Sequence, residues 1–402
     1  MPKKNSIHDS SNNLSRRDFL TMGSAAALGL AAGASLPSKS EAAKPVEAGN
    51  VEQEWRNKQS GMSYRQLGRT GMMVSEVVCG GDPVRPDNYQ HIAKALDMGM
   101  NYLDMAPAYG RGQCEEAYGK ILDEFISRDE VFMTTKVSGF NWKRNQLYRD
   151  IYEGLPSEKQ EKYQTKAQEM MEKRAVVKPG YFFEYFPNQD RQFQGTYLSN
   201  AMMADYGHKV EGSKEFRTMI TESLEGSLKR TGTDHFDILM CPHGANSPEE
   251  VQVEEIYKTL DDLKKAGKVR FLGVSSHNDP AGVLMAAAKS GQYDVAMVAY
   301  NIANGGYLDM PIQQAVDAGM GIIGMKVAMA VATHHKALQP VPQWRIDKVN
   351  RIVPGDMKAP LKAYTWALQN PNVSAVISNL WDEQYVQENL GVAGMKVELN
   401  KA

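Results

Sequence analysis

Eight short apolar segments, separated by stretches with helical periodicity, place the strongest limit on how this chain of 402 residues folds. Each segment is continuously apolar, which is typical of parallel strands that are covered on both faces. They are residues 74–79, 101–104, 131–136, 236–241, 269–274, 295–300, 321–325 and 373–377. Eight strand–helix units predict an α/β fold, a closed (β/α)8 TIM barrel, rather than an open doubly wound sheet.

The stretches between these strands carry helical signals. Predicted helices cover residues 89–98, 216–228, 251–265, 280–288, 311–318 and 382–390. Two of them begin with a capping residue and a proline, Ser247-Pro248 and Asp279-Pro280, which is a typical helix start. The first strand is followed by Cys79-Gly80-Gly81-Asp82-Pro83, and this turn lacks the GxGxxG pattern of a Rossmann fold.

Two long connections interrupt the alternation, one after the third strand (residues 138–212) and one after the seventh (327–357). The first is predicted to contain a charged helix at 157–174 and an aromatic-rich loop at 181–206. Both connections follow strand ends, so we expect them at the C-terminal face of the barrel, where they shape a substrate pocket. The aromatic residues either stack on a sugar or aromatic substrate or, as we favour, pack the insertion against the barrel. They are Trp142, Tyr181, Phe182, Phe183, Tyr185 and Phe186.

The N-terminus has the organisation of an export signal. Paired arginines, Arg16 and Arg17, precede a glycine- and alanine-rich apolar run at residues 21–36, and the small residues Ala42 and Ala43 follow. This order predicts a twin-arginine signal peptide over 1–42, a linker over 43–62 and the barrel over 63–395. The translocation machinery is then a partner, and the mature protein is expected in the periplasm or another extracytoplasmic space. The apolar run is too short and glycine-rich to span a bilayer well, and no membrane span is predicted in the mature protein.

Charge and cysteine spacing argue against two other classes of protein. The net charge of −2 provides no basic field for nucleic acid. Cys79, Cys114 and Cys241 lie far apart and form no CxxC pair, and the adjacent His334 and His335 point different ways on most backbones. No metal site is therefore predicted.

Four polar residues lie at or just beyond the ends of the second, third and fourth strands: Asp104, Tyr109, Lys136 and His243. A barrel gathers such positions at one mouth. The set suits carbonyl reduction, because a tyrosine can protonate the oxygen on which negative charge develops. We expect Lys136 to lower the pKa of Tyr109 and Asp104 to hold the lysine. His243 is expected to orient the substrate or relay the proton.

The same residues carry a resemblance to the aldo-keto reductase family. The Asp-x-Ala-x-x-Tyr element that ends at Tyr109 resembles a specific motif of that family. So do Gln66-Leu67-Gly68-Arg69-Thr70-Gly71, Thr134-Thr135-Lys136-Val137, the strand that ends in Cys241-Pro242-His243, and Phe271-Leu272-Gly273-Val274-Ser275-Ser276-His277. The resemblance runs from about residue 64 to 391, apart from the two insertions. It implies that Tyr109 is the acid, Lys136 its activator, Asp104 the partner of the lysine and His243 the substrate-orienting residue.

The resemblance also implies a nicotinamide cofactor, with contacts that depart from the family pattern. The predicted cofactor-binding residues are Ser275, Ser276, Asn301, Lys326, Asn379 and Asn389. Ser276, Met297 and Met325 stand where the family usually has an asparagine, a glutamine and an aromatic residue at the nicotinamide. Asn379 and Tyr385 replace the basic residues that meet the 2′-phosphate of NADP, so NADP or NAD stays open. Lys326, Asn379 and the helix start near Asp382 are the alternative phosphate ligands.

Two functions follow from these patterns. The first is an exported oxidoreductase that transfers hydride between NADP or NAD and a small carbonyl or hydroxyl compound, with a sugar as one substrate class. Twin-arginine export carries folded proteins, so the cofactor would leave the cytoplasm already bound. The alternative is a non-redox barrel that binds an extracellular ligand such as a carbohydrate, or that uses the four residues for acid–base chemistry. Binding of a dinucleotide separates the two.

Overall fold

The computed structural model describes residues 51–332 and 340–401. The predicted signal peptide, the first part of the linker, and His334 and His335 lie outside these residues. Among the helices that are described, none has the length and apolar character required to span a membrane.

The described chain begins with a small three-stranded sheet, β1 (Glu54–Trp55), β2 (Tyr64–Gln66) and β3 (Met72–Ser75), in which β3 lies between the other two. Leu67, Met72 and Val74 from this unit are fully buried with residues of the barrel interior. The sheet therefore covers the N-terminal end of the barrel. Gly68, with φ of +52°, lies so close to the backbone of Gly321 that a side chain has no room there.

A closed barrel of eight parallel strands follows, which confirms the predicted fold. Its strands are β4 (Val77–Gly80), β5 (Tyr102–Asp104), β6 (Phe132–Lys136), β7 (Phe236–Met240), β8 (Val269–Ser276), β9 (Val295–Ala299), β10 (Gly321–Met325) and β11 (Ala375–Ser378). Neighbouring strands pair in chain order, and β11 pairs with β4 to close the barrel. One side of these strands fills the interior, and the other packs against the surrounding helices.

The first predicted strand, residues 74–79, is wrong as a single element. The chain turns at Glu76, between β3 and β4, where the carboxylate of Glu76 pairs with Arg65 at 2.6 Å. The sequence pattern missed this turn because residues on both sides of it are apolar and are buried in the same cluster inside the barrel. Val74 caps the barrel interior from below, and Val78 lines it.

Helices cover the outside of the barrel. In chain order they are α1 (His91–Asp97), α2 (Gln113–Glu124), α3 (Phe140–Glu153), α4 (Ser157–Arg174), α5 (Arg191–Val210), α6 (Lys214–Thr231), α7 (Glu254–Lys265), α8 (Pro280–Ser290), α9 (Gly305–Asp317), α10 (Gln343–Ile352), α11 (Ala359–Leu368) and α12 (Glu383–Leu390). The helix predicted at 311–318 starts earlier, at Gly305, because the side chain of Asn304 closes the preceding turn by bonding Asn301 N and Ala299 O. Pro311 thus lies in the second turn of α9.

The insertion after β6 contains three helices, α3, α4 and α5. The charged helix predicted at 157–174 is confirmed residue for residue as α4. The aromatic loop predicted at 181–206 is wrong from Arg191 onward, where α5 begins. Phe193, Tyr197 and Ala201 lie four residues apart on the buried face of α5, so tertiary packing against α3 and α4 stabilises a helix there.

Candidate active site

A buried ion pair links the ends of two neighbouring strands at the C-terminal mouth of the barrel. Lys136 Nζ, at the end of β6, donates to Asp104 Oδ1 at 2.5 Å and to the carbonyl oxygen of Met105 at 2.8 Å. Both charged side chains are at most 2% exposed. Burial raises the pKa of Asp104, and the ammonium of Lys136 opposes that rise. The two opposite charges thus stabilise each other in a buried site where an unpaired charge would be unfavourable.

Tyr109 lies in the short 3-10 turn Tyr109–Gly112 that follows β5. The ammonium of Lys136 lies 4.6 Å from the centre of its ring. Burial and the negative charges of Asp104 and Asp82 raise the pKa of Tyr109 well above its ordinary value. The sequence-based expectation of a lowered pKa for Tyr109 is therefore wrong for this structure, because burial and the two carboxylates disfavour the phenolate. Tyr109 retains its proton at neutral pH.

His243 follows β7 and lies across from the tyrosine. The two ring centres are 6.0 Å apart with an interplanar angle of 83°, and His243 Nδ1 lies 3.0 Å from the hydroxyl of Ser138. Burial, with the positive charges of Lys136 and Lys326, lowers the pKa of His243 to about 3. The imidazole is therefore neutral over the physiological range. The structure thus brings all four predicted catalytic side chains together.

A cavity of about 690 Å³ opens beside these residues, and Asp104, Tyr109 and His243 are in its wall. This volume lies within the range of sites for small organic ligands. Three of the predicted cofactor residues line the same cavity: Lys326, Asn379 and Asn389. Beside them, Met297, Met325 and Ile377 form an apolar surface.

The other three predicted cofactor residues do not line the cavity. The hydroxyl of Ser275 accepts from Gly244 N at 2.9 Å, and that of Ser276 donates to the carbonyl oxygen of Ala245 at 2.8 Å. The amide of Asn301 donates to the hydroxyl of Tyr185 at 2.8 Å. All three polar groups therefore stabilise the loops of the barrel mouth.

Several other residues of the wall had no role in the sequence-based prediction, and His277 is the most conspicuous of them. It lies two residues beyond Ser275, in one of the motifs that carry the family resemblance, and its buried Nδ1 has no hydrogen-bond partner within the part of the chain that the structure describes. Burial and the nearby charge of Lys326 lower its pKa well below the usual value. Asn141, Arg149 and Arg191, all from the insertion, also line the cavity.

The aromatic residues of the insertion divide into two groups. Tyr181 and Phe183 are buried outside the cavity wall, as expected if they pack the insertion against the barrel, and Tyr181 donates to Asp279 Oδ1 at 2.6 Å. Trp142, Tyr185 and Phe186 line the cavity; Tyr185 is largely buried, and Trp142 is 68% exposed.

The donor set of the cavity fits a dinucleotide in part. Lys326 supplies a cation, and its φ of +59° is unusual for a residue with a side chain. Asn379 and Asn389 supply amides, and Trp381 and Tyr385 supply aromatic surface. The helix start near Asp382 was an alternative phosphate ligand in the sequence analysis. At the start of α12, however, the carboxylate of Asp382 already accepts hydrogen bonds from Gln384 N and Tyr385 N. Among the predicted cofactor residues, Lys326 and the two amides are thus the ones that line the cavity with donors suited to a phosphate.

Comparison with known proteins assigns the family. Residues 80–327 match the model described as "Aldo/keto reductase family", and this chain belongs to the aldo-keto reductase family. The matched family is one of oxidoreductases, as its description states. The non-redox alternative receives no support from these comparisons.

The matched relatives are distant. Aldo-keto reductase YhdN of Bacillus subtilis is 26% identical over 225 residues, which cover 54% of this chain and 47% of that protein. The chain thus spans about half the length of this curated relative. L-galactose dehydrogenase of Arabidopsis thaliana is 21% identical over 352 residues, covering 82% of this chain and 87% of that protein. The structure of aldo-keto reductase AKR11C1 from Bacillus halodurans in its holo form shares the fold. Its TM-score is 0.54 at 18% identity, with 83% of this chain and 92% of that chain covered.

Proposed function

We propose that this protein transfers hydride between a nicotinamide dinucleotide and a small carbonyl or hydroxyl compound, with Tyr109 as the proton donor and acceptor. The observation that carries the proposal is the meeting of Asp104, Tyr109, Lys136 and His243 at the end of one cavity. Lys326 and two amides line the same cavity and suit a phosphate-containing cofactor.

The proton chemistry follows from the charges around Tyr109. Its raised pKa keeps the phenol protonated, so it can donate to the substrate oxygen as negative charge develops there. The ammonium of Lys136, 4.6 Å from the ring centre, stabilises the phenolate that remains. Asp104 holds the ammonium in place and limits its freedom to move. In the direction of oxidation the same groups take the proton back.

His243 acts as a neutral hydrogen-bond donor in this proposal. Its pKa of about 3 excludes the imidazolium at neutral pH. This role requires the tautomer in which the hydroxyl of Ser138, 3.0 Å from Nδ1, donates to that nitrogen and Nε2 carries the proton for the substrate oxygen. The substrate oxygen thus receives two donors, one from Tyr109 and one from His243.

The cofactor supplies and accepts the hydride when bound. Lys326, Asn379 and Asn389 would hold its polar groups, and Met297 and Met325 would provide apolar surface for the nicotinamide. NAD is favoured over NADP, because Asn379 and Tyr385 bring no positive charge for a 2′-phosphate and Asp382 adds a carboxylate nearby in sequence.

Sugars are the favoured substrate class. Trp142 presents an exposed ring at the cavity, with Asn145 and Gln192 beside it in the wall. An aromatic face with adjacent amides suits a polyhydroxylated ligand. The relative named L-galactose dehydrogenase is consistent with this choice.

Export by the twin-arginine route is the second part of the proposal. Arg16 and Arg17 precede the apolar run at residues 21–36, and the folded protein would carry its cofactor into the periplasm. Replacing both arginines with lysine should retain the full-length precursor in the cytoplasm. Processing and export at the normal rate would contradict this assignment.

The enzymatic proposal is tested by the cofactor. We expect nicotinamide to co-purify with the exported protein, detectable by absorbance and mass spectrometry, or to bind saturably when NADH and NADPH are titrated separately. Tighter binding of NADH would support the NAD preference. Binding of neither form would overturn the proposed hydride transfer.

A further inference from the structure

One wall of the cavity is built by the insertion and carries two arginines. Asn141, Asn145 and Arg149 lie four residues apart on α3 and all line the cavity. Arg191 and Gln192, at the start of α5, line it as well. The spacing places the α3 residues on one face of that helix, and α3 and α5 pack against each other.

The two arginines have no protein partner in residues 51–332 and 340–401. Neither guanidinium makes a hydrogen bond or an ion pair there, and both side chains are exposed to the solvent of the cavity. Neighbouring cations on α3 behave differently: Lys143 pairs with Glu215, and Arg144 pairs with Glu211 at 2.9 Å. On α3 the other two cations are thus neutralised, whereas Arg149, like Arg191 at the start of α5, faces the cavity.

The remaining charges in the wall do not compensate for this pair. The carboxylates that line the cavity are Asp82 and Asp104, which follow β4 and end β5. Asp104 is already paired with Lys136. Lys326 adds a further positive charge to the wall. The cavity therefore has an excess of positive charge, which attracts anionic ligands.

The guanidinium of Arg149 lies at a distance from the residues proposed to react. Asn141 Nδ2 donates to the carbonyl oxygen of Gly244 at 2.7 Å, so this end of the α3 face lies beside His243. Arg149 follows eight residues later, or about 12 Å along the helix axis. An anionic group held by Arg149 therefore lies several bonds from the carbon that exchanges hydride.

We propose that Arg149 and Arg191 bind a carboxylate or phosphate of the substrate, remote from its reacting carbon, so that the substrate is an anionic carbonyl or hydroxyl compound such as a sugar acid or sugar phosphate. Guanidinium groups suit both anions, because their planar donors can form paired hydrogen bonds with them. This inference rests on the proposed hydride transfer at the same site.

The test compares substrates that differ in charge. Steady-state rates are measured for D-glucuronate, D-glucose 6-phosphate and D-glucose, and for succinate semialdehyde and butanal as open-chain partners. We expect kcat/KM for the anionic member of each pair to exceed that of the neutral member at least tenfold, with a preference that falls as salt rises. The higher kcat/KM of the two sugar anions, D-glucuronate or D-glucose 6-phosphate, shows whether the site favours a carboxylate or a phosphate. Equal values for charged and neutral substrates would overturn the inference and leave the hydride transfer intact.

The variant Arg149→Gln/Arg191→Gln sharpens the test. It should lower kcat/KM for anionic substrates at least tenfold, mainly through KM, and change that for neutral substrates less than twofold. Arg217→Gln is the matched control, because Arg217 is exposed, pairs with Asp262 and does not line the cavity. Calorimetric titration with glucuronate gives a readout without turnover. Equal affinity in wild type and double variant would contradict the proposal even if no substrate were turned over.

Discussion

The two sides of the barrel mouth use their polar residues differently. At the ends of β5, β6 and β7, the charged and polar groups face the cavity or support one another: Lys136 holds Asp104, and His243 contacts Ser138. At the ends of β8 and β9, Ser275, Ser276 and Asn301 bond to neighbouring loops, and Met297 faces the cavity instead. The first side carries the residues on which the resemblance to the family rests, and the second departs from what that resemblance implies.

The two sides differ because proton transfer depends on one donor, whereas the free energy of cofactor binding is spread over many contacts. Proton transfer requires a donor within hydrogen-bond reach of one oxygen, so a change of residue type removes the reaction. Cofactor binding sums many contacts, and one lost amide can be offset by a cation such as Lys326 elsewhere in the cavity. We therefore expect the proposed catalytic side to tolerate few substitutions and the proposed cofactor side to tolerate more.

The largest effect is expected for Tyr109→Phe. Loss of the hydroxyl removes the proton donor, and turnover should fall by roughly 10²- to 10⁴-fold. The affinity for NADH, measured by fluorescence titration, should change less than about threefold, because the ring and its contact with Lys136 are kept. A variant with full activity would disprove the assigned role.

The next effect concerns stability. Lys136→Met leaves Asp104 buried without its partner, which should cost about 3–5 kcal/mol in the free energy of unfolding. Urea unfolding measures this loss. The double variant Asp104→Asn/Lys136→Met should recover much of the stability and none of the activity, since both charges are then absent. Recovery of activity in the double variant would contradict the role of Lys136 in proton transfer.

His243 makes a prediction about acid stability. Its pKa is about 3 in the folded protein and about 6.5 in the unfolded chain. Between these values the unfolded chain binds the extra proton, so stability is present above pH 6.5 and falls as the pH drops toward 3. His243→Gln should flatten this fall by up to about 1.4 kcal/mol per pH unit, seen in urea unfolding from pH 7 to pH 4. An unchanged slope in His243→Gln would contradict a buried, neutral imidazole at this position.

Lys326 tests the cofactor side directly. Lys326→Met removes the cation that lines the cavity beside Met325, and Kd for NADH should rise about tenfold, as expected for one charge-assisted contact. The control is Lys358→Met, because Lys358 pairs with Glu388 on the surface and does not line the cavity. An unchanged Kd would show that phosphate recognition depends on Asn379 and Asn389 instead.

The same contrast explains what could be predicted from the sequence. The barrel strands were visible because burial on both faces makes them continuously apolar, and the catalytic residues followed because strand ends meet at one mouth. Side-chain direction was not visible: Ser276 aligns with a cofactor ligand, yet its hydroxyl donates to the loop after β7. Arg149 and Arg191 were missed because packing between α3 and α5, distant in sequence, brings them to one cavity.

The smallest effect is expected at Ser276, where the sequence alone predicts a cofactor contact. The hydroxyl of Ser276 is fully buried and donates to the carbonyl oxygen of Ala245 at 2.8 Å, outside the cavity wall. Ser276→Ala should therefore change Kd for NADH and kcat less than twofold, while the free energy of unfolding falls by about 1 kcal/mol from the lost hydrogen bond. A rise in Kd as large as that of Lys326→Met, with stability unchanged, would mean that the serine turns toward the cofactor when it binds. The β8 side of the mouth would then follow the family pattern more closely than the hydrogen bonds of this structure indicate.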